Sequence, residues 1–149
     1  MSGTRNVRIG AMAVVMAVGL MAGGVFGVGV ASAKTTPKVV VKPALNLHNG
    51  ETVVVSGSGF KAGDTVYIVE CLIKAKGQAG CNTGSGIPPY ATVSSTGTFS
   101  GVKIKVTTGK VGNGTCGTKA SNLKACAVSV GNATGGDTGV GPITFRAVK

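Results

Sequence analysis

The stretch TVVVSGSGFKAGDTVYIVECLIKAKGQAGC, residues 52–81, sets two apolar, β-branched segments around a glycine-rich turn and then closes a loop between two cysteines. TVVVSG (52–57) and TVYIVEC (65–71) hold the residue types that pack on a pleated, half-buried surface. GFKAGD (59–64) between them supplies the glycines of a turn. No apolar spacing of three or four residues runs through the stretch, so it reads as two strands and not as a helix. Nine residues rich in lysine, glycine and alanine then separate Cys71 from Cys81. A second loop of the same length and flavour, CGTKASNLKAC, runs from Cys116 to Cys126.

The same punctuation continues outward. KVVVK (38–42), bracketed by Pro37 and Pro43, reads as a strand, and HNGE (48–51) holds an Asn-Gly turn before TVVVSG. YATVS (90–94), TFSGVKIKV (98–106), KACAVSVG (124–131) and GPITFRAV (141–148) read as four more strands. NTGSGIPP (82–89) is irregular, because Pro88 and Pro89 cannot donate ladder hydrogen bonds, and TTGKVGNGT (107–115) reads as a glycine-rich connection. The expectation is an all-β domain, a seven-stranded, immunoglobulin-like Greek-key sandwich. With no tryptophan in the chain, it lacks the packed indole of antibody domains.

The start of the chain bears on the cysteines. MSGTRNVRIG is polar and basic, residues 11–30 carry no charge, and Ala31-Ser32-Ala33 offers a small-x-small exit. That order describes a secretory signal peptide over residues 1–33, cleaved after Ala33, with one domain over residues 34–149. An uncleaved membrane anchor is the rival reading, since about 20 apolar residues just span a bilayer. In an exported chain, four cysteines read as two disulfides, and the local pairing Cys71–Cys81 with Cys116–Cys126 closes one short loop each. A structural zinc is the alternative, but there is no C-x-x-C knuckle and the sole histidine is distant. Residues 34–149 hold a valine-rich, aromatic-poor core, for which two staples make physical sense.

Removing Arg5 and Arg8 from the fifteen basic residues leaves thirteen against four acids, a balance of +9. Such a surface attracts polyanions such as DNA, acidic cell-wall polymer or anionic lipid, and it also confers solubility. Lys74, Lys76, Lys103, Lys105, Lys110, Lys119 and Lys124 are the candidates for holding an anionic polymer, although aromatics do not alternate with them.

Catalytic signals are sparse. His48 sits beside a tight turn, and the acids Glu51, Asp64, Glu70 and Asp137 are scattered. VSGSGF has its serines in the wrong register for a nucleophile elbow. GNGTCG (112–117) spells Gly-x-Gly-x-x-Gly, but it lacks the strand before and helix after that a dinucleotide site needs. Two glycosylation sequons begin at Asn113 and Asn132. The residues therefore support a binding or structural protein, not an enzyme, with no metal and no cofactor.

VVVSGSGFKAGDTVYIVECLIKAKGQAGC (53–81), STGTFS (95–100) and CGTKASNLKACAVSVGNATGGDTGVGPITF (116–145) resemble the neocarzinostatin family of actinobacterial enediyne apoproteins. Shared are the valine strand, Gly-x-Gly-apolar-x-x-Gly, a strand ending in cysteine with a second ten positions on, a later cysteine pair, and a Gly/Asn/Asp-rich turn into the final strand. The resemblance implies a seven-stranded sandwich with two local disulfides. It also implies a cleft in which a small, reactive, apolar chromophore is held non-covalently and released to damage DNA. The positions it assigns to that cleft are Ile73, Ala79, Pro88, Tyr90, Ala127 and Gly131. The best-known family member places aromatic and polar ligand contacts at several of these positions, where this chain has aliphatic or small residues, so little aromatic stacking is expected in this chain. The family's carriers are acidic, whereas this chain is basic, and its second cysteine pair is wider.

Two functions follow as expectations. One is a secreted, monomeric carrier of a small apolar molecule, linked through its family to antibiotic activity. The other is an exported basic module binding anionic cell-wall polymer or DNA. Peptide cleavage, sometimes suggested for such apoproteins, lacks a recognisable nucleophile–base pair here.

Overall fold

Period-2 alternation sets the sheets of the computed structural model, which describes residues 36–74, 76–84 and 86–147. The strands are β1 (Lys38–Lys42), β2 (Glu51–Ser58), β3 (Thr65–Leu72), β4 (Tyr90–Thr92), β5 (Thr98–Val106), β6 (Gly109–Val111), β7 (Gly114–Cys116), β8 (Cys126–Asn132) and β9 (Gly139–Pro142). Val53 and Val55 of β2, Val66 and Ile68 of β3, and Val128 and Val130 of β8 are buried on alternate positions. Strands β1-β2-β5 form one antiparallel sheet and β4-β3-β8-β9 the other, and the buried valines of both face a common core.

Each of the seven expected strands is present. Two differences have local causes. Residues 109–116 are not a featureless connection but the hairpin β6-β7, in which Val111 pairs with Gly114 across a two-residue turn. Gly112 has φ 51°, so the turn needs the left-handed region that glycine enters without strain. The last ladder runs over Gly139–Pro142 and not to residue 148; the Ile143 N–H still donates to the Cys126 carbonyl at 3.3 Å, but the Thr144 and Phe145 N–H groups then turn to the Ala44 and Leu123 carbonyls at 2.8 and 2.9 Å, away from β8. Beyond it, Phe145 forms a parallel bridge with Leu47, and Arg146 N–H donates to the Leu47 carbonyl at 3.0 Å.

The two sheets close along one side where β1 meets β9. A Cβ on Gly139 would lie 2.8 Å from Val39 Cγ2, and one on Gly141 would lie 2.7 Å from Val41 Cγ2. Glycine at these positions lets the two strands approach as closely as they do. Phe60 and Phe99 meet edge to face at 5.4 Å within the core, and Phe145 is fully buried. The disulfides are Cys71–Cys81 and Cys116–Cys126, the local pairing. Cys116 and Cys126 are part of the core cluster, while in the first pair Cys71 is buried near the end of β3 and Cys81 is half-buried. The signal-peptide reading of residues 1–33 lies outside the described residues.

Candidate ligand cleft

The outward positions of the four-stranded sheet form the floor of a cleft. Tyr67 and Val69 come from β3, Ser129 and Gly131 from β8, and Val140 from β9. One wall is the first disulfide loop, through Leu72, Ile73, Gly77, Gln78 and Cys81, continued by Thr83 and Pro88. The facing wall is the turn after β8, through Asn132, Ala133, Gly135 and Thr138. The cleft encloses about 700 Å³, within the range of sites that hold small molecules. None of its described lining residues is charged.

Both walls are braced from behind. In the first, the Asn113 N–H donates to the Ala79 carbonyl at 2.9 Å, pinning the tip of the β6-β7 hairpin to the disulfide loop. A Cβ on Gly112 would fall 2.4 Å from the Ala79 carbonyl oxygen, so this contact tolerates no side chain. In the second, the Lys61 N–H donates to Asp137 at 2.6 Å, and Asn132 Nδ2 donates to Asp64 at 3.0 Å. The second disulfide loop is organised by the buried Asn122, whose Oδ1 accepts the Thr118 and Lys119 N–H groups at 2.9 and 3.0 Å.

On the core side of the sheet lies Glu70, only 3 % exposed. Its carboxylate accepts the Thr107 N–H at 2.9 Å and the Thr107 hydroxyl at 3.1 Å. Burial pushes its pKa above the ordinary glutamate value, and the two Thr107 hydrogen bonds oppose that shift. Its donor atoms lie near the Cys116 and Cys126 sulfurs. Those sulfurs are bonded to each other, so the cluster offers a metal a single carboxylate.

The structure brings together three of the six expected ligand residues, Ile73, Pro88 and Gly131, at this cleft. Ala79 faces away, into a shallow depression it shares with Lys110 and the hairpin tip, for the bracing reason just given. Ala127 is fully buried between Cys71 and Pro142 in register. Tyr90 is 60 % exposed on β4 and packs against Tyr67 at 6.2 Å between ring centroids, so Tyr67 takes the place at the floor. Sequence reasoning missed Tyr67, Val69, Ser129 and Val140. The alternation in TVYIVEC and CAVSVGN carried the signal, since residues two apart share a sheet face. His48 stays at its turn, its N–H held by the Glu51 carboxylate at 2.8 Å.

The neocarzinostatin family model matches residues 39–145, from β1 past β9, and so includes both disulfides and the cleft. The chain belongs to the neocarzinostatin family. It is 36 % identical over 110 residues to the antitumor antibiotic C-1027 apoprotein of Streptomyces globisporus, covering 73 % of this chain and 76 % of that one. Actinoxanthin of Streptomyces globisporus is similar to the same extent, 36 % over 110 residues. Among solved structures, macromomycin superposes with a TM-score of 0.55 at 28 % identity, covering 73 % of this chain and 98 % of its own. In this member of the family the cleft is lined by one aromatic ring, Tyr67, with aliphatic and uncharged polar groups around it.

Proposed function

We propose that the protein is an extracellular carrier that holds one small apolar molecule, of the enediyne-chromophore type or a relative of it, non-covalently in the cleft of the four-stranded sheet. The observation that supports this reading most directly is a cleft of about 700 Å³ without a charged lining residue, in a chain whose 34–149 segment is otherwise strongly basic. Such a site favours an apolar guest and keeps water and charged nucleophiles from it. The names of the relatives, an antibiotic apoprotein among them, point the same way. Tyr67 supplies the aromatic face, and Ile73, Val69, Pro88 and Val140 supply aliphatic contact. Ser129, Thr138 and Gln78 offer hydrogen bonds that would orient a polar edge of the ligand. Binding and shielding, with no nucleophile–base pair, is the chemistry the site serves, and DNA damage would belong to the released molecule.

The test is native mass spectrometry of protein recovered from its own producing cells. A compound of one-to-one stoichiometry is expected to co-purify and to be lost from Val140→Lys, which places a cation in the cleft at a position already 53 % exposed. Repeated ligand-free preparations of the unaltered protein would refute carriage.

A further inference from the structure

The outer face of the β1-β2-β5 sheet carries an uncompensated array of lysines. Register sets Lys42 opposite Val54 and Val54 opposite Lys103, so two ammonium groups flank one valine across the three strands. Lys105 stands opposite Thr52, and Lys38 opposite Ser58. All four lysines are exposed. Strand spacing puts Lys42 and Lys103 about 10 Å apart and Lys103 and Lys105 about 7 Å apart along the strand. These separations are comparable to the screening length at physiological salt, about 8 Å, so the charges repel one another.

The acids do nothing to relieve this. Glu51 takes the His48 N–H, Asp64 and Asp137 brace the turn after β8, and Glu70 is buried with Thr107. Among the described residues the one ion pair is Lys61 with Asp64. Beyond solubility and the guarding of the two edge strands, four like charges on one face repel one another, and the array points to an anionic partner.

We propose that this face docks a flexible linear polyanion of phosphodiester repeats without bases, on the side of the sandwich opposite the cleft. Base stacking is unsupported, because the buried phenylalanines and the Tyr67–Tyr90 pair leave this face without an aromatic ring. A duplex groove would need a protruding helix or ribbon, and the face is the broad side of a three-stranded sheet. Insertion into a bilayer would need large apolar side chains, and the face offers only Val40 and Val54, 48 % and 37 % exposed. A charged chain laid along the lysine rows needs none of these, and its counterions are released on contact.

The experiment is a binding titration with poly(glycerol phosphate) over a series of salt concentrations. It compares the unaltered protein with K42Q/K103Q/K105Q and with K74Q/K119Q/K124Q, which removes the same three charges from the disulfide loops. The sheet variant should lose about tenfold or more in affinity at low salt, and its log–log salt slope should flatten by about 2. The loop variant should keep most of both, and circular dichroism should show both variants folded. Equal losses in the two variants would reduce the effect to net charge and overturn the proposal. So would an unaltered protein that fails to bind at low ionic strength. Tighter binding to phosphatidylglycerol vesicles, or to oligothymidylate or duplex DNA, than to the base-free polymer would replace the partner with a membrane or a nucleic acid.

Discussion

At the residue scale, Glu70 shows how alternation turns one letter into a physical problem. In TVYIVEC it falls on the same parity as Val66 and Ile68, the core face. The chain satisfies it with Thr107 and still leaves its carboxyl harder to ionise than a free one. Because the folded pKa is raised, the contribution of Glu70 to stability is present below the unfolded value, about 4.3. It is lost as pH rises through the raised folded value. Glu70→Gln keeps an acceptor for the Thr107 N–H and removes the charge. Denaturant unfolding at a series of pH values should therefore find the variant's stability relative to the unaltered protein greatest near neutrality and smallest toward pH 4. A variant whose stability relative to the unaltered protein instead falls as pH rises would mean that the carboxylate's hydrogen bonds outweigh its burial. His48 shows the opposite case, a residue read from the sequence as sitting beside a tight turn and found there, exposed.

At the element scale, the first disulfide loop and the turn after β8 wall a cleft whose floor is the four-stranded sheet. The disulfide pairing was legible because ten-residue spacings close short loops, and the structure forms those two bridges. Their surroundings were not legible. Cys71–Cys81 shapes a cleft wall, whereas Cys116 and Cys126 are core residues with no exposure. Removing either crosslink restores about 3 kcal/mol of unfolded-chain entropy on the loop-closure model. Only Cys71 of the first pair is buried, so replacing the second pair by serine adds the burial of two hydroxyls against one, about 1–3 kcal/mol each where unpartnered. Urea unfolding should thus place Cys116→Ser/Cys126→Ser clearly below Cys71→Ser/Cys81→Ser in stability, with the unaltered protein above both. Equal midpoints for the two double variants would contradict the core placement of the second bridge. The β6-β7 hairpin was hidden in TTGKVGNGT, because three-residue strands leave almost no periodicity to read. Its role as a brace depends on a contact with Ala79 that is distant in sequence.

At the scale of the whole molecule, charge and core pull against each other. The 34–149 segment carries a balance of +9, while half of its core cluster is valine, with three phenylalanines. Self-repulsion of that magnitude acts against the compact state. Raising ionic strength from about 0.01 M to about 0.15 M shortens the screening length from about 30 Å to about 8 Å. The melting temperature should rise over that interval, and more for the unaltered protein than for K42Q/K103Q/K105Q. A melting temperature indifferent to salt would show that the lysines are too dispersed for their repulsion to matter.

The amino-acid order by itself determined seven of the nine strands, the sulfur pairing and the family. Each of these rests on local spacing: period-2 alternation, Gly and Pro at turns, and ten residues between cysteines. Only the tertiary structure decided which residues share a surface. Ile73, Pro88 and Gly131 meet Tyr67 and Val140 in one cleft because β3, β8 and β9 are neighbours in a sheet, although more than fifty residues separate β3 from β8. Lys42 and Lys103 flank Val54 for the same reason. Register between strands is set by turns, bulges and the burial of both sheets at once, and no local stretch of the chain contains that information.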